Sequence, residues 1–131
     1  MHAPDAPFHA HIYFSNEQRS VAQALRDEFA GLASGDEQRP ILFVGIMAEG
    51  PAGPHPEPQY EVHFRAGHLP EILSAIGRSG LRALVHPLTA DDLADHTTLA
   101  QWVGEPLDLD LTVLDPPGIN QGIPRFGKTD F

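Results

Sequence analysis

The stretch Phe-His-Ala-His-Ile-Tyr-Phe at positions 8–14 constrains the fold more than any other part of the chain. Side chains alternate across a β-strand. Phe8, Ala10, Ile12 and Phe14 therefore share one face, and His9, His11 and Tyr13 share the other. The first set reads as core and the second as an open, polar face.

The segments that follow tell how that core face is covered. Ser15 and Gln18 have the spacing of a capping box. Val21, Leu25, Phe29 and Leu32 then recur at helical spacing, which predicts an amphipathic helix closing near Gly31 to Gly35. Residues 41–47 are mostly apolar and predict a buried strand. Residues 48–59 contain four prolines and predict a stiff loop. Residues 60–64 alternate again, with Tyr60, Val62 and Phe64 on one face. A second helix is expected over 70–78, carrying Ile72, Leu73 and Ile76 inward and stopping at Gly80. The strand expected over 81–86 puts Ala83 and Val85 on one side, Leu84 and His86 on the other.

Thr89 can cap a third, shorter helix over 91–103, and 109–113 reads as a short edge strand. Residues 115–131 have no periodicity and read as a tail that wraps the domain or docks on a neighbour. The order is β-α-β-β-α-β followed by a helix and an extended tail: an α+β, ferredoxin-like split βαβ with an antiparallel sheet. Its usual strand order, 4-1-3-2, makes the first and last strands neighbours. The helices cover one face of the sheet. A third helix, the tail or a second subunit must cover the other, so a pocket there is natural and a homodimer is expected.

Composition narrows the function. The 131 residues suit a single domain spanning 1–131, with a core at about 8–113 and a tail from 114. There is no cysteine, so disulfides and thiolate metal sites are excluded and any metal must be held by nitrogen and oxygen. A formal net charge of -10 argues against nucleic acid as a partner. The first residues lack a basic segment followed by an apolar run, and no window approaches the roughly 18 apolar residues of a membrane span. A cytoplasmic protein without nucleic-acid or membrane partners is expected.

Histidine is the anomaly: eight residues, as many as lysine and arginine together. If Ala10 and Ile12 meet the helices, His9 and His11 point to the open face, and by the same parity so does His86. Strands one and four are expected to be adjacent, so these three converge. His55 lies on the stiff loop and could close over that face. His96, in phase with Leu93 and Ala100, is expected on the inward side of the third helix. Neutral imidazoles are good ligands for iron, zinc, copper and nickel. A lone His-x-His is more often a solvated strand face; the inferred convergence favours a metal site. His2, His63 and His68 lack such convergence and read as surface residues.

Other chemistry is poorly supported: Gly-x-Ser-x-Gly, a phosphate loop and a dinucleotide fingerprint are all absent. Asp91, Asp92 and Asp95 read as compensation of a helix dipole. Trp102 and Leu99 read as packing. Tyr13 is placed either to donate to a ligand or to stack at the edge of a pocket.

At these residues the chain resembles the DOPA 4,5-dioxygenase family of aromatic ring-cleaving enzymes. The resemblance rests on the 8–14 segment, Gly-Pro-His-Pro at 53–56, and Tyr-Glu-Val-His-Phe at 60–64. It rests equally on Leu-Val-His-Pro-Leu-Thr-Ala-Asp-Asp-Leu-Ala-Asp-His at 84–96 and Trp-Val-Gly-Glu-Pro-Leu-Asp-Leu-Asp at 102–110. It implies a ferredoxin-like fold, a non-haem Fe(II) centre, which zinc or nickel could occupy after purification, and extradiol cleavage of a catechol by O2. On that reading His11, His55 and His86 are the metal ligands, and His9 and His96 do acid–base work or bind substrate. Parity alone does not separate His9 from His11. Glu61, on the open face of strand three, is a conceivable carboxylate ligand. Arg125 and Lys128 on the tail could meet a substrate carboxylate, although basic tail residues are usually just solvated.

Two other classes compete: a non-catalytic module binding a metal or an aromatic ligand on the same fold, and a structural dimer joined through the open face. The histidines beyond three ligands favour proton transfer over mere binding. A histidine-rich face is also a poor obligate interface.

Overall fold

The strand at the start of the chain, β1 (Pro7–Tyr13), runs through the middle of a five-stranded antiparallel sheet in a computed structural model that describes residues 3–51 and 53–114. Its neighbours are β3 (Gln59–Arg65) and β4 (Ala83–Pro87). β2 (Phe43–Val44) borders β3, and β5 (Gln101–Val103) borders β4, giving the order β2-β3-β1-β4-β5. The expected 4-1-3-2 arrangement is therefore present, extended by one strand beyond β4.

α1 (Arg19–Leu32) and α2 (Leu69–Ser79) cover the apolar face. Phe8, Ala10, Ile12, Tyr60, Val62, Phe64, Ala83 and Val85 join Leu25, Phe29, Ile72 and Ile76 in one buried cluster. Each large apolar side chain removed from water contributes roughly 1.5–3 kcal/mol, so this layer is the main source of stability. A short 3-10 turn, Asn16–Gln18, leads into α1, and the Ser15 N–H donates to Gln18 Oε1 at 3.1 Å, as the capping-box spacing predicts. α2 ends at Gly80, whose φ of 77° suits a residue without a Cβ. The inward line of α1 is Ala22, Leu25 and Phe29; Val21, expected to be inward, is 42% exposed.

Three expectations need correction. The helix expected over 91–103 is only α3 (Asp92–His96). Thr97 leaves helical geometry with φ -128° and ψ -86°, and the chain turns to pair with the free edge of β4, Leu84 opposite Trp102. An unpaired sheet edge offers backbone hydrogen bonds that a short, weakly amphipathic helix does not. The edge strand expected at 109–113 is absent because β5 already occupies that edge; Leu111–Val113 forms a 3-10 turn, with Asp110 accepting from the Thr112 N–H. The strand expected over 41–47 has a ladder of only two residues. The Leu42 and Gly45 N–H groups also donate to His63 O and Glu61 O, both at 2.8 Å. The tail calls, Arg125 and Lys128 included, and His2 lie outside the described residues. Among the described residues no helix is long and apolar enough to cross a membrane.

Candidate metal centre

Register brings the histidines together. Across β3, β1 and β4, His63, His9 and His86 occupy one row of the open face, and Glu61, His11 and Leu84 occupy the next. Phe43 on β2 extends the first row and rests on the His63 ring, with centroids 4.8 Å apart. The face is closed from above by elements of the same chain. His55 on the proline-rich loop is 2% exposed, and His96 on α3 is 4% exposed. The Asp110 N–H donates to Pro54 O at 2.9 Å, tying the segment after β5 to the loop that carries His55.

The result is a buried basin of imidazoles. The His11 and His55 ring centroids lie 4.0 Å apart, those of His86 and His96 4.3 Å apart, and His9 stacks on His63 at 3.6 Å. Among the described residues, three triads have ligand atoms within 4.8 Å of one another: His9, His11 and His86; His11, His55 and His96; and His9, Glu61 and His63. His11 belongs to the first two. Its Nε2 stands 3.1 Å from His86 Nε2. That is the length of an N–H···N hydrogen bond. It is also the spacing, about 3.0 Å, of neighbouring ligand atoms around an octahedral ion bound at roughly 2.1 Å.

The outer nitrogens are held. His86 Nδ1–H donates to Pro87 O and His96 Nδ1–H donates to Asp92 O, both at 2.8 Å, so Nε2 is the lone-pair nitrogen on each ring. His11 Nδ1 meets Gln59 Oε1 at 3.1 Å, and His55 Nδ1 meets the Tyr13 hydroxyl at 2.6 Å. Orientation by an oxygen on the far nitrogen is what a metal-binding imidazole requires. Burial first, and then neighbouring imidazoles, push His11 and His86 well below the ordinary histidine range. The same causes bring His55 down to about 3 and His63 to about 2. Burial raises the Tyr13 phenol, which stays protonated. His11, His55 and His86 are thus neutral nitrogen donors, and the basin they share fits a divalent ion.

Beside it opens a surface pocket of about 240 Å³ lined by His96, Thr97, Trp102, Leu107, Asp108, Leu109 and Leu111. Trp102 lines this pocket on one side and stacks on Tyr13 at 6.1 Å. His96 thus connects the basin to the outside.

The described residues singled out for the site have definite places. His9, His11, His55, His86 and His96 all lie in the basin, and Tyr13 reaches it through His55. His96 is inward, but Leu93, expected to share that side, is 49% exposed, because α3 is too short to present a helical stripe. Leu99, read as packing, is 44% exposed. Asp91 does cap α3, accepting from the Ala94 N–H at 3.1 Å. Asp92 and Asp95, by contrast, are buried: Asp92 Oδ1 lies 3.4 Å from His96 Nδ1, and Asp95 accepts from Thr89. His63 is not a surface residue. It is fully buried, with Nε2 3.4 Å from Glu61 Oε1. The signal was present, since His63 and Glu61 share strand parity. Gln59 was missed because it ends a loop in the sequence, yet the β3 ladder carries it under His11. Gly45 makes room here: a Cβ on it would stand 2.9 Å from Glu61 Cγ.

Fold and site together define an α+β protein with a buried histidine basin that could hold a metal ion. The chain belongs to the Dopa 4,5-dioxygenase family, whose model matches residues 8–113. It is 31% identical over 112 residues to a DOPA 4,5-dioxygenase of Amanita muscaria, covering 82% of this chain and 49% of that protein. It is 33% identical over 120 residues to an uncharacterized 21.2 kDa protein of Botryotinia fuckeliana, covering 82% of this chain and 62% of that one. The chain thus spans about half to three-fifths of these curated relatives. A crystal structure of a candidate dioxygenase from Nostoc punctiforme is similar with a TM-score of 0.72 and 31% identity, over 84% of this chain and 91% of that one.

Proposed function

We propose that the protein is an Fe(II)-dependent extradiol dioxygenase that opens the ring of a catechol, DOPA-like or caffeate-like, with O2. The observation that carries this reading is the His11–His86 pair, Nε2 to Nε2 at 3.1 Å, beside a pocket that His96 and Trp102 line. His11 and His86 are the first two ligands. His55, which closes over His11 from the loop, is the third, with His9 standing behind it in the triad it forms with His11 and His86. The bound ion would act as a Lewis acid on the catechol oxygens and bring O2 and substrate together.

The chain's own residues do the rest. Trp102 and the leucines of the pocket offer an apolar wall to an aromatic ring. His96 reaches the pocket, whereas His9 is fully buried within the basin and is not among the residues that line the pocket, so His96 is the acid–base residue in contact with substrate. With Nδ1–H held by Asp92 O, His96 Nε2 takes the catechol proton, and Asp92 Oδ1 at 3.4 Å steadies the imidazolium that forms. Tyr13 orients His55 from below. Both oxygen atoms enter the product, a ring-opened semialdehyde.

The test is O2 consumption by protein reloaded anaerobically with Fe(II) and offered L-DOPA, caffeate, protocatechuate and catechol. Stoichiometric uptake with a yellow ring-opened product is expected. No uptake with any catechol, in protein holding one iron per chain, would leave a binding module in place of an enzyme.

A further inference from the structure

Of the four basin imidazoles whose Nδ1 faces an oxygen of the chain, His55 meets the Tyr13 hydroxyl and two are held by backbone carbonyls, His86 by Pro87 O and His96 by Asp92 O. A carbonyl only accepts, so those two tautomers are permanent. His11 differs, because its Nδ1 faces the side-chain amide of Gln59, one end of which accepts while the other donates. Gln59 is fully buried, and its Nε2 has no hydrogen-bond partner among the described residues. Its backbone is clamped on both sides by Ala48, through Gln59 N–H to Ala48 O at 3.2 Å and Ala48 N–H to Gln59 O at 2.8 Å. Only the amide is left to turn.

The two amide orientations have opposite consequences at the His11–His86 contact. With Gln59 Oε1 toward His11, Nδ1 carries the proton and both Nε2 atoms present lone pairs to each other across 3.1 Å. That arrangement is repulsive unless a cation lies against both. With the amide turned over, Gln59 donates to His11 Nδ1, the proton moves to His11 Nε2, and His11 donates it to His86 Nε2. Both rings of the pair are then satisfied without a metal, at no change in net charge.

We propose that Gln59 is a positioning residue that sets the tautomer of His11, and that the turn of its amide switches the His11–His86 pair between a closed, proton-bridged state and a metal-accepting one. The inference rests on the reading of His11 as a ligand, and deepens it.

The test uses Zn2+ as a diamagnetic probe, with affinity from competition against a chelator at fixed pH. Gln59→Leu removes the acceptor on Nδ1, and Zn2+ affinity is expected to fall by roughly 10–100-fold, the usual effect of losing an outer-shell partner. Gln59→Glu, which only accepts, is expected to restore or exceed the original affinity. A packing role for Gln59 predicts the reverse order, since leucine is readily buried there and a carboxylate is not; that order would overturn the proposal. Should either variant fail to fold, nitrogen-15 spectra of the unaltered protein decide. His11 is expected to carry its proton on Nε2 without metal and on Nδ1 with Zn2+; the same tautomer in both states would overturn the switch. Full Zn2+ occupancy in His11→Ala would instead sink the ligand reading itself. Unchanged affinity in Gln59→Leu, in protein whose binding requires His11, would sink this inference alone.

Discussion

His11 and His86 meet Nε2 to Nε2 at 3.1 Å although they are not opposite each other in the sheet: the register partner of His86 is His9, and that of His11 is Leu84. The contact is diagonal, and it leaves His9 free to stack on His63 on the other side. His86→Ala is therefore expected to weaken metal binding by at least about 100-fold, above the usual outer-shell effect. His63→Ala should leave affinity within about threefold, because the contacts of its ring run to His9, Glu61 and Phe43. Isothermal titration with Zn2+ separates the two.

The metal-free protein should be labile to acid. His11, His55, His63 and His86 are held neutral by burial, with folded values far below the roughly 6.5 of an unfolded chain. Between those values the unfolded state binds more protons, so stability is full above pH about 6.5 and falls as the pH drops below it. Each group contributes a slope of up to about 1.4 kcal/mol per pH unit. Urea unfolding at pH 7 and pH 5 is expected to differ by several kcal/mol. Equal stability at the two values would mean that these imidazoles are not held neutral.

How far the sequence already disclosed this arrangement depends on what kind of information each feature needed. The parity of 8–14 and 81–86 placed His9, His11 and His86 on one face because strand alternation is a local, backbone property. His55 was legible for a different reason: a loop with four prolines has few places to go. The end of α3 was not legible, since it is decided by the free edge of β4 competing for Gln101–Val103. Nor was Gln59, whose role appears only when the β1–β3 register sets it beneath His11. His63 shows the intermediate case, with the correct parity but no neighbour in the sequence to mark it as buried.

Proton transfer should be separable from metal binding. His96 lines the pocket and has Asp92 at its far nitrogen. His96→Gln is expected to lower kcat by about 100-fold or more, with KM for the catechol changed little, if general acid–base catalysis is its part. Asp92→Asn should lower kcat by roughly tenfold, because the Asp92 carbonyl still holds the ring at 2.8 Å. Steady-state oxygen uptake measures both. A change confined to KM in His96→Gln would make it a substrate-binding residue only.

Gly45 tests the packing under the basin. A Cβ there would press on Glu61 Cγ at 2.9 Å, and Glu61 is fully buried. Gly45→Ala is expected to destabilise the fold by about 1–3 kcal/mol, the usual range for overpacking a tight interior. The midpoint of urea unfolding at neutral pH reports it. An unchanged midpoint would show that Glu61 has room to withdraw.

The proposed metal site has His11 as its hub. Anaerobic Fe(II) binding to the unaltered chain and to His11→Ala, followed by equilibrium dialysis and metal analysis, tests it most directly. One iron per chain in the former and essentially none in the latter, with the circular dichroism of the fold preserved, is the predicted result. Full iron occupancy in a folded His11→Ala protein would contradict the account and move the metal away from the His11–His86 pair.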